Sequence, residues 1–219
     1  MNPERSRTTP TSTRPRSSHA SRVVWIVLLI ACGLGFALDH TIWSAWHPAD
    51  EAAKVAFEKR DVVQMLRSVG YVPTWIIVSG ALFAVRFGHR GAWRMWLVAL
   101  SAALGGGLAE LLKLIAARER PGASGEYIWR GVFSGFTNPT NLGLASSHAG
   151  VAFGAAFMLM LLWPRSVWVA LPLAIGCAIT RVGTGAHFTS DVCVGALLAY
   201  AAARGLFALA SRSNARHAV

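Results

Sequence analysis

Long apolar runs alternate with short polar segments along most of the chain. Six runs stand out, at 22–39, 71–88, 93–112, 149–163, 167–183 and 192–210. A bilayer core about 30 Å thick is crossed by roughly 17 to 25 helical residues, and most of these runs reach that length. The run at 149–163 is short unless its flanks extend it. The pattern therefore predicts an all-α, polytopic membrane protein built as a six-transmembrane-helix bundle.

Polar sequence surrounds and interrupts this membrane domain. Residues 1–21 are rich in Ser, Thr, Arg and Pro, which predicts a disordered basic tail before a membrane domain over 22–210 and a second tail over 211–219. Within 50–69, apolar residues recur at roughly helical spacing among charges, which predicts an amphipathic helix on the membrane surface; a helix that only caps two spans fits equally. The apolar positions are Val55, Phe57, Val62, Val63, Leu66 and Val69.

Composition and charge support a membrane location. The chain is 54% hydrophobic and 14% charged, whereas soluble domains carry about a quarter charged residues. Its net charge of +11 could suggest nucleic-acid binding, but the excess falls in the two tails and in the connections on their side of the membrane. The opposite side is balanced. This asymmetry follows the positive-inside rule, so we expect both termini in the cytoplasm, the chain in the inner (plasma) membrane, and no nucleic-acid partner.

Polar residues suited to an anion are concentrated in three segments on the predicted outer side. The first is KLIAARERP, in which Lys113 and Arg120 are seven residues apart and can share one face of a helix. The second is ASSHAG, with Ser146, Ser147 and His148 at the start of the fourth apolar run. A helix that begins there offers free N–H groups and the positive end of its dipole to an anion.

The third segment, TRVGTGAHFTSD, contains Arg181, His187 and Asp191. Because His187 and Asp191 are four residues apart, one helical turn would bring the carboxylate to the imidazole. The cations and N–H donors together suit a dianionic phosphoryl group. Of His148 and His187, one can attack phosphorus and the other can protonate the departing oxygen, while Asp191 could fix the tautomer of His187.

No metal or cofactor is expected at this site. The sequence offers neither a carboxylate cluster for Mg²⁺ nor a His/Cys tetrad for Zn²⁺. Cys32, Cys177 and Cys193 lie in or beside apolar runs without paired spacing, which is typical of small buried apolar residues.

The three segments resemble the three-part signature of the type 2 phosphatidic acid phosphatase (PAP2) superfamily, KxxxxxxRP, PSGH and SRxxxxxHxxxD. The resemblance covers roughly residues 70–210, and the order and internal spacing match in full. It implies a six-helix membrane protein whose active site lies at the outer membrane face, with His187 as the nucleophile that forms a phosphohistidine. It also implies that Asp191 orients His187 and that His148 is the general acid. The phosphate-binding positions would be Lys113, Arg120, Ser146, Ser147 and Arg181.

The chain departs from the signature at three positions. Ala145 replaces the proline and Thr180 the serine, and both changes are mild. Ser147 replaces the glycine whose backbone N–H meets the phosphate in the family. A serine keeps that N–H, but we expect strain if this position requires a positive φ.

The predicted function is hydrolysis of a membrane lipid phosphate or diphosphate. The sequence does not choose among undecaprenyl diphosphate, phosphatidylglycerophosphate, phosphatidic acid and lipid A, and it assigns no oligomeric state. A lipid phosphotransferase would need the same nucleophile. A catalytically silent lipid-binding or transport relative is less compatible with the intact histidines, and the vanadium haloperoxidases that share the anion cradle resemble soluble proteins. Arg118 and Arg130 are either solvated loop charges or contacts for a second phosphate or headgroup.

Overall fold

The computed structural model describes residues 17–89, 91–122 and 124–216, which form eight α-helices and no β-strand. The helices are α1 (Ser17–Trp46), α2 (Glu51–Glu58), α3 (Asp61–Ser68), α4 (Val72–Val85), α5 (Trp96–Ala116), α6 (Ser147–Leu162), α7 (Val167–Gly183) and α8 (Thr189–Arg216). The fold is therefore all-helical, in agreement with the sequence prediction.

The predicted tails are shorter than the sequence suggested. Residues 1–16 and 217–219 lie outside the described part of the chain, but α1 already begins at Ser17, inside the tail predicted over 1–21. The last proline of that tail is Pro15, and no later residue before the apolar run prevents a helix. Likewise, α8 continues to Arg216, beyond the predicted boundary at 210.

The predicted amphipathic helix over 50–69 is wrong as a single helix, because the chain breaks at Arg60 into α2 and α3. The backbone of Arg60 is extended, so the first helix ends and a second begins there. Helix α3 packs against α7. Phe57 of α2 packs over Gly183, and Leu66 of α3 packs over Gly176. Thus α3 is a packed part of the bundle.

The centre of the bundle is α6, which α5, α7 and α8 surround. Its small and apolar residues are buried from Ala149 to Met158. In this interior the Ser101 hydroxyl of α5 donates a hydrogen bond of 2.7 Å to the carbonyl of Gly154. By contrast, many apolar side chains of α1 are exposed, as in Ile26, Ile30 and Leu34. Such a surface is compatible with lipid but not with water.

Among the described residues, four stretches are long and apolar enough to cross a membrane: His19–Trp46, Ala92–Ala116, Pro164–Gly183 and Thr189–Arg212. A fifth is possible if α3 and α4, which meet at a 70° bend, form one span. The fourth predicted span corresponds to α6, which has only 16 residues because it starts at the Ser146 cap and stops before Pro164. The chain is a multi-pass membrane protein, while the count of six spans stays a prediction.

Candidate active site

The three polar segments meet at one end of the bundle, where α5 ends, α6 begins and the α7–α8 turn lies. The backbone N–H of Ser146 donates to the carbonyl of Asp191 at 2.9 Å, which ties the second segment to the third. The ammonium of Lys113 lies 3.2 Å from the Ser147 hydroxyl, which ties the first segment to the second. Ser146 also caps α6, its hydroxyl oxygen accepting the N–H of Ala149 at 3.5 Å.

His187 lies in the turn between α7 and α8, with its side chain buried. The turn includes Gly185 at φ +66°, the left-handed region that favours glycine, so the chain can reverse there. The carboxylate Oδ2 of Asp191 lies 3.3 Å from Nδ1 of His187. A proton on Nδ1 fits this contact and leaves Nε2 with a free lone pair.

Burial lowers the pKa of His187 below its ordinary value, and the adjacent Asp191 only partly opposes this effect. The positive charges of Arg181 and Lys113 act in the same direction as burial. The imidazole is therefore neutral near pH 7, as a nucleophile must be.

Asp191 has a second partner that the signature does not contain. Its Oδ1 accepts a hydrogen bond of 2.5 Å from Arg118, while its Oδ2 also accepts the N–H of Phe188 at 2.9 Å. Arg118 is completely buried. The interpretation of Arg118 as a solvated loop charge or a headgroup contact is therefore wrong, because Arg118 follows the left-handed C-cap Ala117 of α5 and its buried side chain contacts Asp191.

Cationic groups surround the two histidines. Lys113 donates to Glu110 at 2.7 Å, as expected for a lysine one helical turn away. The buried Arg181 side chain has no hydrogen-bond partner for Nε within the described part of the chain. Arg120 does not share a helix face with Lys113 as predicted, because α5 ends at Ala116 and the left-handed Ala117 turns the chain away. It is exposed at the rim, its Nε donating to the carbonyl of Leu142 at 3.2 Å, and its charge acts on Arg181.

A further arginine, Arg67, was missed by sequence reasoning because α3 lies outside all three segments. Its positive charge acts on both His148 and Arg181, and its Nε is buried without a hydrogen-bond partner among the described residues. Within residues 17–89, 91–122 and 124–216, its one acidic partner is Glu58, at 3.9 Å from the guanidinium. The proximity of Arg67 to the site becomes visible only when α3 is seen packed against α7.

His148 occupies the first turn of α6. Its ring packs edge-on against Tyr71, with centroids 4.9 Å apart. The ring nitrogen Nε2 is buried and finds no partner among the residues described here. His148 makes no side-chain hydrogen bond to another predicted site residue in that part of the chain, so a proton-transfer role depends on a bound ligand.

The substitution of serine for glycine at position 147 causes no backbone strain. Ser147 is the first residue of α6 and has helical geometry. It is absent from the positive-φ residues of the described chain, which outside glycine are Ala117, Phe133 and Asn141. The condition for strain, a positive φ at position 147, is therefore not met. Because α6 starts at Ser147, the backbone N–H of this residue is one of the free donors at the helix N-terminus.

Two remaining features bear on the chemistry. Arg130 pairs with Glu119 at 2.7 Å, which lowers the pKa of that carboxyl and makes Arg130 a loop charge with its own partner. In residues 17–89, 91–122 and 124–216, no group of three or more His, Cys, Asp or Glu side chains is arranged to hold a metal ion.

Comparisons with known proteins identify a matching family and a similar fold. The family described as the PAP2 superfamily matches residues 94–215, which include all three polar segments. The chain is also similar to a solved structure described as the first transmembrane PAP2 type phosphatidylglycerolphosphate phosphatase from Bacillus subtilis. That similarity has a TM-score of 0.56 and 19% identity over 89% of this chain and 96% of the other, and it shows a shared fold. No curated protein matches the chain.

Proposed function

Because more than half of its length matches the family, this chain belongs to the PAP2 superfamily, and from that premise we propose that it is an integral membrane phosphatase acting on a lipid phosphate or diphosphate. Family membership and the membrane fold support phosphatase activity on a lipid. The observation that carries the proposal is the buried His187–Asp191 pair, which leaves Nε2 free beside several cations.

In the first step, the lone pair on Nε2 of His187 attacks phosphorus and the bond from phosphorus to the lipid oxygen breaks. Asp191 accepts a hydrogen bond from the Nδ1–H group and, as a carboxylate, stabilises the positive charge that forms on the phosphorylated imidazole ring. The leaving oxygen takes a proton from His148. Negative charge on the phosphoryl oxygens is stabilised by charge-assisted hydrogen bonds from cations and by the amides of the α6 N-terminus. These groups are Lys113, Arg120, Arg181, Ser146 and Ser147.

In the second step, a water molecule attacks the phosphohistidine. His148, which has just lost its proton, takes one from this water, the bond from phosphorus to nitrogen breaks, and inorganic phosphate is released. If a lipid or sugar hydroxyl attacked instead, the same site would act as a phosphotransferase. We favour hydrolysis because the solved relative is described as a phosphatase.

The proposed site lies at the outer membrane face, where a lipid can keep its tail in the bilayer and present its headgroup to the helix ends. The cations would stabilise the phosphoryl group directly, so the reaction would need no metal ion. Candidate substrates are undecaprenyl diphosphate, phosphatidylglycerophosphate, phosphatidic acid and lipid A.

The test is phosphate release by the purified protein in detergent, measured against that panel with and without EDTA. We expect release from at least one lipid, with unchanged rate in EDTA. Activity that EDTA abolishes and only Mg²⁺ restores would contradict metal independence. If the protein binds the lipids but releases no phosphate, the proposed phosphatase activity is contradicted. The chain would then be a catalytically silent lipid-binding relative.

A further inference from the structure

A buried charge cluster lies behind the His187–Asp191 pair. Arg118 donates to Asp191 at 2.5 Å and to the Ser190 hydroxyl at 2.7 Å, and its guanidinium is 3.9 Å from Asp39 of α1. Arg118, Asp39 and Asp191 are each at most 1% exposed. Four aromatic rings lie 4.9 to 5.6 Å from the guanidinium: Phe36, Tyr127, Trp129 and Phe188.

Asp39 joins this cluster through α8. Its carboxylate accepts the backbone N–H of Ser190 at 2.8 Å, the hydroxyl of Ser190, and the hydroxyl of Tyr127 at 2.7 Å. Burial and the adjacent carboxylate raise the pKa of Tyr127, which keeps this hydroxyl a donor. The helices can meet here because a Cβ on Gly35 would lie only 3.1 Å from the backbone of Ser190. Asp39 thus satisfies one of the free N–H groups at the start of α8.

We propose that Asp39 and Arg118 are positioning residues for catalysis, which hold Asp191 in place and leave one buried negative charge to stabilise the imidazolium of His187. This inference rests on the proposed function. Arg118 occupies Oδ1 of Asp191, so Oδ2 is directed to His187. Without Asp39, the charges of Arg118 and Asp191 would cancel. With Asp39 present, two carboxylates face one guanidinium, and the remaining negative charge stabilises the cationic form of the His187 ring.

Asp39 thereby belongs to the active site, although α1 lies outside the region that matches the family. The other titratable or charged groups around His187 come from α5, α6, α7, α8 and the α5–α6 loop. They are Glu110, Lys113, Arg118, Tyr127, His148, Arg181 and Asp191. Replacing Asp39 by asparagine leaves all of them in place and removes one negative charge.

The experiment compares wild type with Asp39→Asn, using turnover in detergent at a saturating level of the panel lipid that wild type hydrolyses fastest, measured from acid to neutral pH. Removing the negative charge destabilises protonated His187, so the fall in turnover on the acid side should move to lower pH. We expect a shift of roughly half a unit to one unit, less than the 1 to 3 units that a direct partner causes. Turnover at the optimum should fall roughly 3- to 30-fold, less than the loss from removing a direct transition-state donor.

Three variants separate charge from structure. Ser190→Ala removes hydrogen bonds but no charge, so its acid limb should stay at the wild-type pH. Glu119→Gln removes a carboxylate that pairs with Arg130 outside the cluster, and should change neither quantity. Asp39→Ser removes the charge again, and replaces Asp39→Asn if that variant lacks a cooperative melting transition in detergent.

The outcomes are distinct. A slower variant whose acid limb moves to lower pH supports the inference. If Asp39→Asn is slower but its turnover falls at the same acidic pH as in wild type, Asp39 has a structural role only and the inference is overturned. A variant identical to wild type also overturns the inference. If wild type itself releases no phosphate from any lipid of the panel, the proposed function fails instead.

Discussion

At the scale of single residues, His187 and His148 have different tasks in the proposed reaction. His187→Ala removes the nucleophile and should reduce turnover to near background with every substrate. His148→Ala removes the general acid, which typically costs about 10²- to 10⁴-fold with a poor leaving group such as a lipid alkoxide. An activated ester such as p-nitrophenyl phosphate leaves without a proton, so its first step should be largely spared.

A substrate with a labelled phosphoryl group distinguishes the two variants directly. Because hydrolysis of the intermediate needs His148 as a base, His148→Ala should accumulate labelled phosphohistidine, detected after a rapid quench without acid. His187→Ala should not be labelled. The reverse labelling pattern would show that the two roles have been exchanged.

Ser147 shows how one side chain can differ from a family pattern without loss of the site. Its hydroxyl lies 3.2 Å from the ammonium of Lys113, a contact that glycine cannot make. Ser147→Gly should therefore lower substrate affinity only modestly, by up to about tenfold, because it removes one hydrogen bond to the Lys113 ammonium and leaves the charge itself in place. Glu110 still holds Lys113 in that variant.

The measurement is KM for the best lipid of the panel. Lys113→Gln is the comparison, since it removes the charge itself and should raise KM by far more. Equal increases in KM for Ser147→Gly and Lys113→Gln would mean that the lysine charge contributes no more to binding than its contact with Ser147.

At the scale of elements, the sequence predicted where α6 begins but not where α5 ends. Ser146 marks the start of α6 because its side chain caps the helix, which is a local interaction. Helix α5, by contrast, ends at Ala116, before the Arg120 that was expected to share a helix face with Lys113. The position of α3 could not be predicted, because it depends on contacts such as Leu66 with Gly176 between residues far apart in the chain. Consequently Arg67 did not look like a site residue.

The packing of α3 against α7 gives Arg67 a testable role. Its charge lies close enough to act on His148 and Arg181, where a phosphate would sit. Arg67→Gln should raise KM for the lipid substrate about 3- to 30-fold, because a hydrogen bond to a charged group contributes more than a neutral one. Turnover at saturation should change less.

Arg60→Gln is the matched control for Arg67→Gln. It removes the same charge next to the same helix, but the Arg60 guanidinium packs over the ring of Phe57. Its KM should equal that of wild type. If both changes raise KM equally, general surface charge attracts the substrate and Arg67 has no specific contact.

At the scale of the whole molecule, hydropathy and motif spacing were enough to predict an all-helical membrane phosphatase, and the PAP2 match confirms the family. They did not predict the cluster around Arg118. Asp39 was visible as an acid at the end of the first apolar run, where charge is costly and often functional. Its partners, however, come from three other parts of the chain, and no local pattern connects them.

The charge distribution along the chain makes a final prediction about orientation. Its net charge of +11 lies almost entirely in the tails and in the connections on their side, whereas the side with the three polar segments is balanced. Under the positive-inside rule, both termini should be cytoplasmic and the site should face the periplasm or outer surface. A reporter enzyme active only after export should be inactive when fused after Val219 and active when fused after Glu126, in the loop that follows α5. A fluorescent reporter that folds only in the cytoplasm should give the opposite result at both positions. An active exported reporter after Val219 would invert the orientation, and the substrate would then have to come from the cytoplasmic leaflet.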